Sequence, residues 1–451
     1  FLSFVLSMML LIANDDLSSN KKAIEASVKK HEKELIKISD AIWHNAELAL
    51  EEYKSSKILS DYAEKNGFSI ERGVAGMPTA FIATYGSGRP RIGILGEFDA
   101  NAGISQKAQS KKEALIEGKP GHGCGHNLFG TGSLGAAIAV KELIEKGKIK
   151  GTVVFYGTPA EETIFGKVWF ARAGLFNDLD VCVDWHPGDD MEAATQSSKA
   201  LIDFRVKFTG RTAHASADPY NGFSAVDGME LFTTGINYYR EHIKPTARIH
   251  YQIEKAGDVV NVVPDKAQIW VRVRENDRES LNVVYERVKK MAAAGALMAE
   301  VEHEIQLISG IYELLPNRRG ATAIQENFKM LGPIKYTKKE MAYAKEIQRA
   351  TGKPEVGMDG AIHPLKDTMP AQGGSTDVGD VSQLVPVVRL STPAAPKDAP
   401  WHSWAVVACT GMSIGHKGMI HATKALGMTM VDLFENPQLV KEVKAEFKER
   451  K

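Results

Sequence analysis

The stretch Ile92-Gly93-Ile94-Leu95-Gly96-Glu97-Phe98-Asp99 passes from an apolar run to acidic residues. A continuous apolar run of this length is typical of a β-strand that is covered on both faces, as in a parallel sheet. Open α/β sheets place their chemistry at the carboxyl ends of such strands. The stretch therefore predicts an α/β fold with functional side chains directly after this strand.

Two further predicted strands also end in polar residues. The strand at 151–156 runs into Gly157-Thr158-Pro159-Ala160-Glu161-Glu162, and the strand at 181–185 runs into His186-Pro187. Because parallel strands end at the same edge of a sheet, we expect these polar groups to converge. Further strands at 79–85 and 386–390, a loop at 100–120, and helices at 20–42, 55–65, 132–146 and 417–435 complete a mostly parallel α/β domain.

The pattern of elements changes after residue 198. Strands are predicted at 201–208, 248–254, 267–274 and 302–308, with helices at 222–241 and 280–298. The order β-α-β-β-α-β is that of a ferredoxin-like α+β unit. We therefore predict an α/β domain of residues 14–198 and 315–451 that is interrupted by an inserted α+β domain of residues 199–314.

The bulk composition limits the classes of partner. The chain has 451 residues, too many for one ordinary core, and 56 basic against 56 acidic residues. Without a basic excess nucleic acid is not expected as a partner, and a small polar substrate is favoured. Residues 1–13 form an apolar leader that is short for a membrane span and suits a signal peptide. A signal peptide implies a periplasmic or exported protein; otherwise the leader is an anchor or an artefact and the protein is cytoplasmic.

Several side chains suited to bind metal lie at these strand ends and in two loops. In Gly121-His122-Gly123-Cys124-Gly125-His126-Asn127, a thiolate and an imidazole can face one borderline cation. Adjacent carboxylates repel, so the Glu161-Glu162 pair suggests a cation or a shared proton. Each feature alone has a structural explanation, such as a solvent loop or a solvated pair at a helix start. Together, these features supply about the five ligands and one base that two cations and a water molecule require. The six residues are Cys124, His126, Glu161, Glu162, His186 and His402.

The sequence resembles the di-metal aminoacylase and carboxypeptidase superfamily, in the branch of auxin-conjugate amidohydrolases and aminobenzoyl-glutamate hydrolases. The likeness runs from about residue 20 to the C-terminus. The motifs that carry it are Gly96-Glu97-Phe98-Asp99-Ala100, residues 121–127, residues 157–162, Trp185-His186-Pro187, Gly210-Arg211-Thr212-Ala213-His214-Ala215 and Trp401-His402-Ser403-Trp404.

This resemblance implies a role for each matching residue. Cys124 would bridge two divalent metal ions, zinc or manganese. The other ligands would be His126, Glu162, His186 and His402. Glu161 would act as the general base on metal-activated water. The implied reaction is hydrolysis of an amide bond in a small N-acyl amino acid, with aminobenzoyl-glutamate or a similar conjugate as the expected substrate.

The resemblance also implies that residues 14–198 and 315–451 form a zinc-peptidase-like catalytic domain with a mostly parallel central sheet. The inserted residues 199–314 would form a lid and dimerisation domain that supplies further contacts. His214 would reach the active site of the partner subunit in a homodimer and stabilise the tetrahedral oxyanion. Asn261 resembles a residue that helps to hold the substrate. The backbone amides at Gly374 and Ser375 could bind a substrate carboxylate, although a flexible loop explains that glycine-rich turn equally well. A requirement for a paralogous second subunit is left open.

Two departures from the wider superfamily bear on these roles. Its carboxypeptidase members have His-x-Asp where this chain has Glu97-Phe98-Asp99. His126 would fill the missing ligand position, and Asp99 would orient a ligand. Asn127 replaces a common Asp, so its role is open, and His122 is given none. The remaining residues of interest are expected to be structural or at the surface: Cys182, Cys409, His242, His250, His363, His416 and His421.

Three alternative functions remain at this point. A thiol hydrolase would use Cys124 as nucleophile, but it would leave Glu161, Glu162 and His402 without a role. A catalytically inactive binding protein on the same fold is a second alternative. Among metal-dependent enzymes, an N-acyl amino acid aminoacylase or a dipeptidase is the closest competitor.

Overall fold

The computed structural model describes residues 2–451, with side chains described from residue 19 onward. The apolar leader expected at residues 1–13 lies outside the residues whose side chains are described. Among the described residues, no helix combines the length and the apolar character that crossing a bilayer requires.

The described residues form alternating helices and strands. In chain order they are α1 (Leu2–Asn45), α2 (Tyr53–Lys65), β1 (Ser69–Arg72), β2 (Phe81–Gly86), β3 (Arg91–Gly96), α3 (His126–Glu145), β4 (Thr152–Gly157), α4 (Glu161–Ile164), α5 (Gly166–Arg172), β5 (Val181–Gly188), β6 (Glu192–Ala193), β7 (Ala200–Thr209), α6 (Ala225–Tyr239), β8 (Arg248–Ala256), β9 (Lys266–Glu275), α7 (Arg278–Met298), β10 (Glu302–Ile311), α8 (Arg318–Leu331), α9 (Lys338–Ala350), α10 (Val378–Ser382), β11 (Val387–Pro393), α11 (Trp404–Thr410), α12 (Ser413–Glu435) and α13 (Pro437–Arg450).

The chain divides into two compact units, and the first comprises Phe1–Thr195, Leu315–Met369 and Val381–Lys451. Its sheet has the strand order β1-β2-β4-β3-β5-β11-β6. The four central strands, β4, β3, β5 and β11, are parallel, while β1, β2 and β6 pair antiparallel at the edges. The predicted mostly parallel α/β fold is confirmed. The strands β2 and β3 follow each other across a short turn, but β4 lies between them, so they form no hairpin.

Helix α3 begins at His126, earlier than the start at residue 132 that the sequence predicts. Its first turns are rich in glycine, which lowers intrinsic helix propensity. Close packing explains the glycines, because a Cβ at Gly130 would lie 2.5 Å from the carbonyl oxygen of Glu97. The helix therefore runs against the end of β3, and its first turn lies beside the acidic residues there.

The second unit comprises Gln196–Leu314 and Pro370–Asp380. Its antiparallel sheet has the order β10-β7-β9-β8, which with α6 and α7 is the predicted ferredoxin-like arrangement. Alternate residues of β9 are buried, and these pack in one apolar core with α6 and α7. The unit carries its own core, as an independently packed domain does.

Candidate active site

Three neighbouring parallel strands deliver polar side chains to one edge of the large sheet. Glu97 and Asp99 follow β3, Glu161 and Glu162 follow β4, and His186 lies near the end of β5. Cys124 lies in the loop just before α3, His126 is the first residue of α3, and His402 lies in the segment before α11. Three groups of donor atoms result, each with its atoms within 4.8 Å of one another: Cys124, His126 and His186; Cys124, Glu162 and His402; and Glu97, His126 and Glu161.

The first group presents an imidazole whose tautomer is fixed. His186 Nδ1 lies 2.7 Å from the carbonyl oxygen of Pro187, to which it must donate, so Nε2 keeps its lone pair. That Nε2 atom lies 3.4 Å from Cys124 Sγ. Burial, and then the charge of Arg389, lower the pKa of His186 to about 3. The side chain is therefore neutral and ready to bind a cation.

Asp99 supports two neighbouring donors with its two oxygens. Oδ1 lies 2.9 Å from His126 Nδ1, and Oδ2 accepts a hydrogen bond of 2.9 Å from the backbone N–H of Glu162. A carboxylate that holds the far nitrogen of a ligating imidazole fixes its orientation. Asp99 therefore makes the contacts expected of a residue that orients metal ligands. This role for Asp99 stays a prediction.

The thiol of Cys124 belongs to two of the three donor groups, one with His126 and His186 and one with Glu162 and His402. Burial, and then the charge of Glu162, raise its pKa above the ordinary value. The thiol is thus protonated without a cation, and a cation must displace the proton when it binds. A thiolate nucleophile is disfavoured here, because burial and Glu162 raise the pKa of the thiol more than His126 lowers it.

The residue His402 has an uncommon backbone conformation, with φ at 57°. Its N–H donates to the carbonyl of Gly123 over 3.0 Å, which joins it to the loop that carries Cys124. Its Nε2 lies 3.5 Å from Glu162 Oε2, although more than half of the side chain is exposed. A non-glycine residue at positive φ costs free energy and is often found at functional sites.

The pair Glu161-Glu162 lies on a short, sharply bounded helix. Ala160 before it and Phe165 after it are both left-handed, with φ of 63° and 60°. The N–H of Ala160 donates to Glu52 Oε1 over 2.9 Å, and Thr79 lies 2.8 Å from the other oxygen of the same carboxyl group. Glu52, which is fully buried, therefore holds the turn that presents Glu161.

We expect Glu52 to make stability depend on pH. Burial, and then the charge of Asp99, raise its pKa from 4.5 to about 8. The folded protein therefore retains a proton that the unfolded chain has lost, so the stabilising contribution is complete below about pH 4.5 and disappears as pH rises through 8. Glu52→Gln mimics the protonated form. Its unfolding free energy should therefore exceed that of the parent increasingly as pH rises, by on the order of a few kcal/mol at pH 9.

Denaturant titrations of metal-free protein between pH 5 and pH 9 measure this difference. The exposed neighbour Glu51 offers a matched control, and Glu51→Gln should show no such trend. Parallel stability curves for the parent and Glu52→Gln would contradict a raised pKa.

Two buried residues of the site were not assigned a role from the sequence. Glu97 Oε2 lies 2.9 Å from His126 Nε2, and Glu97 Oε1 accepts a hydrogen bond from Lys167 in α5. Burial alone would raise the pKa of Glu97, but Lys167 and then His126 lower it below its ordinary range. A lysine within the short apolar segment Gly166–Arg172 is the signal that could have pointed to this pair.

Four predicted residues lie in the second unit. His214 Nδ1 accepts hydrogen bonds from the N–H groups of Ser216 and Ala217 over 3.2 and 3.1 Å. In its neutral form the ring therefore carries its proton on Nε2. The N–H of Ala215 donates to the carbonyl of Asn261 over 3.1 Å, so His214 and Asn261 lie on adjoining segments. Gly374 and Ser375 lie in Pro370–Asp380, where the carbonyl of Gly374 accepts from the N–H of Lys199 over 3.0 Å.

The residues whose roles were open have structural contacts. Asn127 donates to Ser39 Oγ and to the carbonyl of Thr410, which ties α3 to α1 and α11. His122 is buried and lies 3.1 Å from the carbonyl of Ile42, so it does not face solvent. Cys182 and Cys409 are buried free thiols, as expected.

Comparison with known proteins places this arrangement in a family. A family model described as the peptidase dimerisation domain, of M20 type, matches residues 196–298. The chain is 36% identical to one subunit of the p-aminobenzoyl-glutamate hydrolase of Escherichia coli K12, covering 94% of this chain and 93% of that protein. It is 28% identical to the Xaa-Arg dipeptidase of Mus musculus, covering 91% and 88%. A dinuclear metal-binding peptidase of the M20 family from Bacillus subtilis has the same fold, with a TM-score of 0.61 at 17% identity over 90% of this chain and 99% of that one.

Fold and site together define a hydrolase of the peptidase and amidohydrolase class, which acts on the amide bond of an N-acyl amino acid. The chain belongs to the M20 peptidase family, among the relatives of p-aminobenzoyl-glutamate hydrolase.

Proposed function

We propose that this protein hydrolyses aminobenzoyl-glutamate, or a similar amide conjugate of glutamate, with two divalent cations in the site described above. The observation that carries the proposal is the meeting of two donor groups at Cys124, one with His126 and His186 and one with Glu162 and His402. The 36% identical relative, named for aminobenzoyl-glutamate hydrolysis, supports this substrate over a dipeptide.

The side chains present fit two cations. A thiol, three imidazoles and a carboxylate are ligands that zinc accepts, and manganese accepts the carboxylate and the imidazoles. His126 Nε2 and Glu162 Oε1 are buried, and neither makes a hydrogen bond of acceptable geometry among the described residues. Buried polar atoms are costly without a partner, so both are expected to bind something. We infer zinc or manganese from these donors.

The bound cations would polarise the amide carbonyl and lower the pKa of a water molecule. Glu161 takes up the proton of the attacking water and passes it to the leaving amine, as a general base and then a general acid. Asp99 and Glu52 hold the segments that carry His126 and Glu161. His214 contributes a hydrogen bond to the tetrahedral oxyanion, for which its ring offers the Nε2 proton.

A screen of purified protein tests the substrate. The protein is loaded separately with zinc, manganese or cobalt and assayed with aminobenzoyl-glutamate, a panel of N-acyl amino acids and dipeptides. We expect the largest kcat/KM for aminobenzoyl-glutamate. A larger kcat/KM for an acyl amino acid or a dipeptide would show that aminobenzoyl-glutamate is not the preferred substrate. The reaction class, amide hydrolysis, would still hold.

We propose further that His214 acts across a homodimer interface. The dimerisation domain at 196–298 supports a two-subunit protein, and the relative named as one subunit of a hydrolase leaves a paralogous partner as the alternative. If His214 serves the partner subunit, mixing His214→Ala with Glu161→Gln should restore activity, since each heterodimer then contains one complete site.

Differently tagged variants allow the heterodimer to be isolated by two affinity steps. The expected result is activity far above that of either parental homodimer. A control heterodimer of Glu161→Gln with a Glu161→Gln, His214→Ala double variant has no complete site and should stay inactive. An isolated heterodimer of the single variants that is no more active than this control contradicts the arrangement.

A further inference from the structure

Glu97 and Lys167 form a buried ion pair that the mechanism above does not use. Neither side chain is more than 1% exposed, and the Lys167 ammonium donates to Glu97 Oε1. Burying two charges is costly, and replacing such a pair by apolar residues is often neutral or stabilising. Packing alone therefore does not account for a carboxylate at this position.

The second oxygen of Glu97 faces the candidate metal ligands. Oε2 lies 2.9 Å from His126 Nε2, yet neither atom has a hydrogen-bond partner of acceptable geometry among the described residues. Two donor atoms that each lie about 2.1 Å from one cation, at right angles, are about 3.0 Å apart. In that arrangement each lone pair is directed at the cation and away from the other donor. The spacing and the missing hydrogen bond both fit two ligands of one ion.

We propose that Glu97 is a ligand of the cation that His126 binds, since the two lie in one donor group. Lys167 occupies Oε1, so Glu97 binds the ion through Oε2 alone. The carboxylate raises the coordination number of this ion and shifts its preference toward oxygen-loving cations such as manganese. Glu161, which lies in the same donor group, remains the proton carrier.

This inference rests on the proposed two-cation function, and metal binding tests it without an activity assay. Full-length protein is stripped with a chelator and titrated with cobalt(II), alone and in competition with a chelating dye. Glu97→Gln should bind the cation at least about 10- to 100-fold more weakly, in the range seen when support of a metal site is lost. Its visible d–d absorption should become more intense, because cobalt absorbs more strongly when fewer ligands surround it.

Two further variants make the outcome interpretable. Glu51→Gln changes an exposed carboxyl group outside the three donor groups, so its cobalt spectrum and affinity should match the parent. If Glu97→Gln fails to fold, Glu97→Asp keeps the charge beside Lys167 but withdraws the donor oxygen, and the same spectral change is expected. Unchanged spectrum and affinity in the folded Glu97 variant would overturn the assignment while leaving the proposed function intact. Conversely, if the parent binds cobalt through Glu97 but does not cleave aminobenzoyl-glutamate, the ligand assignment holds and the proposed substrate is wrong.

Discussion

Glu161→Gln is expected to retain both metal ions and to lose about two to four decades of kcat, the range for removal of a general acid–base group. The amide keeps the size of the side chain and its place on α4, which Glu52 holds through Ala160. It cannot accept the proton of the attacking water. Steady-state kinetics with aminobenzoyl-glutamate, together with metal analysis of the same sample, measure both parts of this expectation.

The neighbouring carboxylate provides the contrast. Glu162 Oε1 lies 3.9 Å from His126 Nε2, and Glu162 Oε2 lies 3.5 Å from His402 Nε2. Each oxygen of this carboxylate therefore lies near another predicted metal ligand. Glu162→Gln should therefore lose metal as well as activity, whereas Glu161→Gln should lose activity alone. If Glu161→Gln turned over at a near-normal rate, the proton carrier would have to be another residue.

Cys124→Ala is expected to release both ions and to reduce activity to background. Among the described residues, its Sγ is the donor atom common to the Cys124, His126, His186 group and the Cys124, Glu162, His402 group. Its loss removes a ligand from each ion at once. Metal content after dialysis, measured by elemental analysis, should fall from about two ions per chain toward zero, as two sites that share this ligand require.

Another buried thiol serves as the matched control. Cys409 lies in α11, is fully buried and belongs to none of the three donor groups. Cys409→Ala should keep both ions and full activity, with at most a modest loss of stability from the missing sulfur atom. Retention of two ions by Cys124→Ala would show that the thiolate is not shared between them.

The sequence predicted the strand ends well, because the apolar runs that precede Glu97, Glu161 and His186 are long and bounded by turn residues. Their convergence followed from the parallel sheet. The metal-ligand set came from the resemblance to a known superfamily, and the structure brings all five predicted ligands together in the first unit. Their roles remain predictions.

What the sequence did not predict depends on tertiary packing. The place of β4 between β2 and β3 is a long-range pairing that no local signal specifies. The glycines of α3 indicate a loop by propensity, but they are required where the helix approaches β3. The Glu97–Lys167 pair joins residues 70 positions apart, and the contact of Glu52 with Ala160 spans 108. The lysine in its apolar segment signals a buried partner, but which residue that partner is becomes apparent only when the fold is known.

The central claim is that the amide bond is cleaved with the help of bound cations, and removal of metal tests it most directly. Purified protein is dialysed overnight against a chelator, freed of it, and assayed with aminobenzoyl-glutamate before and after zinc or manganese is added back. We predict that activity disappears with the metal and returns on reconstitution in the parent, but not in Glu161→Gln. Full activity in protein shown to be free of metal would contradict metal-dependent cleavage and favour a hydrolase that uses Cys124 as its nucleophile.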